Sequence, residues 1–167
     1  MKTHFSVVVW MLVVSIFMKM AVFAGNWQFS GYERIYFFGN LFVIMIGVFL
    51  GIRLFKALSH EKTGFMADVK AGIKVAGMYA VLMSLFVYLY YSVIDQSYFP
   101  LKIEEQMRLL EESGRATGDD LVKSRETAEF ILAPYFQSTF TLILYLLLGT
   151  FYSALITFFV RKVRNEF

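Results

Sequence analysis

A chain of 167 residues makes one domain, and here 58% of it is hydrophobic and only 17% charged, against about half and about a quarter in an ordinary soluble domain. Nineteen Phe and nine Met are more apolar bulk than a small soluble core hides, and a chain with two Pro and no low-complexity tract is not disordered. The net charge of +3 is not gathered into a patch that would suit nucleic acid, and the lack of Cys excludes disulfides, thiolate catalysis and Cys-ligated metals.

Four apolar runs approach or exceed the ~20 residues that a bilayer-spanning helix needs. The first covers about 5–24 and is interrupted by Lys19. Lys2, this apolar run and the small residues Ala21 and Ala24 also resemble a signal peptide. The length of the run, sufficient to span, favours a retained helix. The second run covers about 35–55, the third about 71–94 and the fourth about 134–160. All four predict helices, so the expected fold class is an all-α membrane protein with a single membrane domain, 1–167.

The connections set an expected orientation. The stretch between spans two and three carries Arg53, Lys56, Lys62, Lys70 and Lys74 against Glu61 and Asp68, and the tail carries Arg161, Lys162 and Arg164. From Asp95 to Glu129 nine acids face five bases. Basic segments remain cytoplasmic, which predicts both termini inside and the long third connection outside. Seven tyrosines (Tyr32, Tyr36, Tyr88, Tyr90, Tyr91, Tyr98, Tyr135) and Trp27 then fall at the outer interface, a depth that amphipathic rings favour.

That third connection, about 97–133, reads as a helical hairpin on the outer, periplasmic side. Ile103, Met107 and Leu110 recur at helical spacing with charge on the opposite face. Gly114 is a C-terminal stop, Thr117 and Asp120 resemble a capping box, and Pro134 marks the start of the fourth span. The hairpin's acidity disfavours adhesion to anionic lipid and fits capping of the bundle or a protein partner.

Small residues at four-residue spacing recur in the spans: Gly47 and Gly51, Gly72 with Ala76 and Ala80, and Gly149 with Ser153. They let helix backbones approach closely. Packing within the bundle is the bland reading and homodimerisation through Gly47 and Gly51 the sharper one. Lys19 lies about five residues, or ~7 Å of helix, inside its span, so its stem is long enough to reach the interface by snorkelling. Pairing with Glu33 or Asp95 and a role toward a substrate are the alternatives. Glu33, Arg34 and Asp95 sit at the same predicted end and with Lys19 form a candidate polar cluster for a lipid headgroup or sugar phosphate. Asn40, Ser84, Gln137 and Thr141 are expected to bridge helices by hydrogen bonds. His4 and His60 have no second ligand at helical spacing, so no metal site is expected. Neither a nucleophile–base set nor a phosphate loop is present, so no cofactor and no enzymatic activity are expected.

The stretch Thr63-Gly64-Phe65-Met66-Ala67-Asp68-Val69-Lys70-Ala71-Gly72-Ile73-Lys74 resembles the cytoplasmic approach to the third span in a Bacteroidota membrane family, number 4199 among the domains of unknown function. Tyr90-Tyr91-Ser92-Val93-Ile94-Asp95 with Tyr98-Phe99 is similar to it as well, as are Ala133-Pro134 and Gly149-Thr150-Phe151-Tyr152-Ser153-Ala154-Leu155-Ile156. Members often carry Pro after the Asp, where this chain has Gln96. The resemblance implies four spans in a bacterial inner membrane and a lipid-linked glycosyltransferase as partner. It supplies no activity and no catalytic residues. The reading that follows is a non-catalytic accessory or subunit of a membrane complex, or a homo-oligomer. The competing reading is a small transporter or a protein that binds a lipid or lipid-linked sugar.

Overall fold

The computed structural model describes residues 2–30, 32–59, 63–114 and 118–164. They form six helices and no strand: α1 (Lys2–Ala24), α2 (Tyr32–Leu58), α3 (Phe65–Leu89), α4 (Tyr98–Glu112), α5 (Gly118–Ile131) and α6 (Pro134–Arg164), with a π turn over Tyr90–Ile94 directly after α3. Four segments are long and apolar enough to cross a membrane: His4–Ala24, Arg34–Leu58, Phe65–Ile94 and Pro134–Val163. The expected spans agree to within a few residues, except that the third begins six residues earlier than 71. Asp68 and Lys70 there hid a helical turn from a reading based on apolar runs.

Side-chain burial is inverted relative to a soluble protein. Large apolar groups such as Phe17 (73% exposed) and Phe151 (60%) face outward, whereas Ser15, Asn40 and Ser153 are fully buried. Exposed apolar surface on this scale marks contact with lipid.

The chain divides into two compact units, Met1–Met83 with Leu142–Phe167, and Ser84–Thr141. In the first unit α1 packs on α2. Between them α1 ends in a reverse turn. Trp27 N–H bonds to the Val22 carbonyl and Asn26 N–H to the Phe23 carbonyl, both at 3.0 Å. Asn26 takes the left-handed conformation, φ +52°, that this Schellman arrangement requires.

Small residues bring the helices of this unit together. A Cβ on Gly47 would run into the Met11 side chain of α1, and one on Gly149 into Ala76 of α3. A Cβ on Gly51 would lie 2.6 Å from Val75, and one on Gly72 would lie 2.6 Å from the Ser153 hydroxyl. The Gly47 and Gly51 faces are therefore occupied by neighbours of the same chain. On α6 the buried positions Tyr145, Gly149, Ser153, Thr157 and Arg161 recur every fourth residue and form one stripe.

In the second unit α4 packs on α5, and Ile103 is buried on α4. Gly114 ends α4 with φ +64° and its N–H on the Glu111 carbonyl at 3.0 Å, as the stop signal implied. Thr117 of the expected capping box lies outside the described residues. Asp119 and Asp120 fall in the first turn of α5, where the unpaired N–H groups favour acids. Pro134 opens α6, where a missing N–H costs nothing.

Candidate functional site

Polar groups in the first unit gather at two levels. At the first, Asp68 in the opening turn of α3 is wholly buried. Its Oδ1 accepts the Thr63 hydroxyl at 2.5 Å, and its Oδ2 accepts Arg161 Nε at 2.9 Å. Lys56 Nζ stands 3.5 Å from the same oxygen, and Arg161 also donates to the Thr63 carbonyl. Two cations thus share one carboxylate. Lys56 and Arg161 belong to the last turns of α2 and α6, where free carbonyls favour positive charge, and Asp68 belongs to an N-terminal turn, where the sign is reversed. The helix ends offset the excess charge. With both oxygens occupied, Asp68 ties the α2–α3 turn to the end of α6.

The second level lies eleven residues further along α3, ~16 Å away at helical rise. Asn40 Nδ2 donates to the Tyr36 carbonyl at 2.9 Å, which fixes its Oδ1 as the acceptor for the Tyr79 hydroxyl at 3.0 Å. A phenol has one proton, so the Ser15 hydroxyl, 2.6 Å from the Tyr79 oxygen, must be the donor in that bond. The Tyr79 ring stacks on Tyr145, with centroids 5.7 Å apart and planes 7° from parallel. Residues from α1, α2, α3 and α6 meet here. Lys19, one turn beyond Ser15, is 3% exposed, with its ammonium 5.2 Å from the centroid of the Tyr36 ring. The lysine therefore turns into the protein and does not snorkel outward. A cation held against a ring face in a desolvated setting gains more than one left in water.

Of the other residues in the expected polar cluster, Arg34 is exposed on α2 in the first unit, and the Glu33 side chain lies outside the described residues. Asp95 belongs to the second unit and is buried. Its Oδ2 accepts the Tyr90 hydroxyl at 3.1 Å, and its N–H donates to the Tyr90 carbonyl at 2.9 Å. Tyr90 and Tyr98 are 0% and 2% exposed and build an aromatic core with Tyr91 and Phe99. They do not join the expected aromatic belt, because their rings find protein partners.

The sequence model of a family described as "Protein of unknown function (DUF4199)" matches residues 5–162. The chain belongs to the DUF4199 family. No curated protein and no solved structure matches it. The family's description assigns no chemistry, so the roles of these residues rest on their geometry.

Asn40 bridges helices as expected. Gln137 instead donates to the Ile131 carbonyl at 2.8 Å and braces the start of its own helix. Ser84 takes part through its backbone carbonyl, which accepts the Ser138 hydroxyl at 2.9 Å. Reading the sequence by charge missed the Asp68–Arg161 pair and the roles of Ser15 and Tyr79. Their signal was a polar residue on the same helical stripe as small residues: Ser153 and Arg161 lie four and twelve positions after Gly149, and Asp68 four before Gly72.

Proposed function

We propose that this DUF4199 protein is a non-catalytic subunit of a complex in a bacterial inner membrane, with both termini cytoplasmic and the α4–α5 hairpin outside. The single observation behind this reading is that α5, over Gly118–Ile131, contains no buried residue. An isolated helix of about that length is marginal in water, and one side of α5 already rests on α4. A partner that covers Val122 and Phe130, 58% and 57% exposed, supplies the missing burial. The charge alternation along the chain supports the orientation.

Photo-crosslinkers at Leu109, Val122 and Phe130 in native membranes test the partner. One recurrent protein adduct in high yield is expected, and adducts to lipid alone would end the reading. Single cysteines at Ser59 and Ser113 with an impermeant maleimide test the orientation. Only the second should be labelled from outside.

The second reading is a small transporter or a binder of lipid or lipid-linked sugar, centred on Lys19. The burial of a lysine inside a span favours it, since such residues commonly serve substrates or ions. Loss of function in the native host on Lys19→Met, with the fold intact and crosslinks unchanged, would select this reading over the first.

A further inference from the structure

The second unit contains a break in helical geometry that neither proposed role uses. After Leu89 the backbone widens into a π turn, Tyr90–Ile94, closed by the five-residue bond from Asp95 N–H to the Tyr90 carbonyl. π turns replace compact α bonds with wider ones and recur at functional joints. Asp95 then leaves the helix altogether, at φ −123° and ψ 63°. The helix that follows starts loosely. The Ser97 hydroxyl makes no capping bond to the α4 backbone and turns back to Asp95 Oδ1, and the Tyr98 N–H reaches the Asp95 carbonyl only at 3.4 Å.

Side chains divide at the same place. Tyr90 stays with α3, its ring 5.8 Å from Phe86. Tyr91 joins α4, its ring 4.3 Å from Phe99 and 5.2 Å from Tyr98. The two consecutive tyrosines thus face the two sides of the joint and touch across it, edge to face, with centroids 4.9 Å apart. Beside that ring contact, Asp95 links the two sides: its Oδ2 accepts the Tyr90 hydroxyl and its Oδ1 the Ser97 hydroxyl, the latter at 3.5 Å.

We propose that this π turn is a hinge of the α4–α5 hairpin, clasped by Tyr90 and Asp95. With the clasp closed the hairpin keeps one direction against the last turn of α3. With it open the hairpin swings as a body, the edge contact between Tyr90 and Tyr91 parts, and the contacts of Tyr91 with Tyr98 and Phe99 persist. The inference rests on the joint alone and holds whether or not the hairpin meets a partner.

The absence of native Cys makes the test direct. Nitroxide labels on Leu85→Cys and Leu109→Cys, both exposed positions, report the angle between α3 and α4 by electron–electron distance measurement in nanodiscs. The parent should show one dominant distance. Tyr90→Phe, which retains the ring and loses only the hydroxyl, should raise a second distance to at least equal weight. Deletion of Ser92 should close the turn into α-helix and give one narrow distance with a shifted mean. Amide exchange should quicken about tenfold over 93–101 in the Phe variant, as expected for a lost bond to a charged acceptor, with α1 unchanged. A bond that only stabilises its surroundings would speed exchange without moving the Leu109 label. If Tyr90→Phe does not fold, Asp95→Asn carries the same expectation with a weakened clasp. Distances unchanged in every folded variant would overturn the hinge.

Discussion

Arg161 and Asp68, 93 positions apart in the chain, meet through Nε and Oδ2 at 2.9 Å with both side chains nearly sealed from solvent. Removing one partner of such a pair strands the other charge, which typically costs ~3–5 kcal/mol. Here Lys56 remains 3.5 Å from the carboxylate and softens the loss. Arg161→Ala is therefore expected to destabilise by about 3 kcal/mol, at the low end of that range, measured by thermal unfolding in mild detergent. The triple substitution Lys56→Met, Asp68→Asn and Arg161→Met removes the carboxylate together with both of its cations and should cost less than Arg161→Ala alone. Equal or additive losses would mean that the side chains are not coupled.

Tyr79 offers a cleaner measure of polar adhesion in the spans. Tyr79→Phe keeps the stack on Tyr145 and deprives Ser15 of its acceptor and Asn40 of its donor. Hydrogen bonds between membrane helices average ~0.6 kcal/mol, with a maximum near ~1.7. Two bonds lost together should cost about 1–2 kcal/mol, whereas Ser15→Ala, which loses one, should cost about half as much. A Phe variant as stable as the parent would show that the network contributes geometry without net stability.

How much of this was legible in the sequence depends on the range over which each signal acts. Span lengths, the Gly114 stop and the Pro134 start are local, and each could be read from residues within a few positions of one another. The tie between Asp68 and Arg161 is not local. Both charges read equally well as marks of a cytoplasmic end, and nothing in their own segments says that they touch. Tyr90 and Tyr98 failed for a related reason. A tyrosine near a span end is drawn to the lipid interface unless another ring is close enough to bury it, and whether one is depends on how the chain turns at Asp95. Lys19 was misjudged because snorkelling assumes an open path to the interface, whereas Tyr36 of α2 lies against its ammonium.

Two mid-helix glycines in the first unit should respond in opposite directions. A Cβ at Gly149 has no room beside Ala76, but one at Gly77 meets only Leu146 Cδ2, at 3.8 Å. Gly149→Ala should therefore destabilise by about 1–3 kcal/mol through overpacking. Gly77→Ala should be neutral or add a few tenths, since Ala is the better helix former. Circular dichroism on heating separates the pair. A reversal of the order would mean that α3 and α6 do not cross at Ala76.

One buried group ought to be better removed than kept. Thr157, one turn before Arg161 on α6, is 1% exposed, and its hydroxyl has no hydrogen-bond partner among the described residues. A buried hydroxyl with no partner carries its desolvation cost uncompensated, ~1–3 kcal/mol. Valine has nearly the same shape and discards the hydroxyl, so Thr157→Val should raise the unfolding temperature, by an amount that reflects about 1 kcal/mol. Ser153→Ala one turn earlier is the control. That hydroxyl donates to the Gly149 carbonyl at 2.6 Å, so its removal relieves nothing and should leave stability level or slightly lower. Should Thr157→Val instead destabilise while Ser153→Ala does not, the Thr157 hydroxyl holds a partner, and the stripe of α6 that leads to Arg161 continues as a bonded chain.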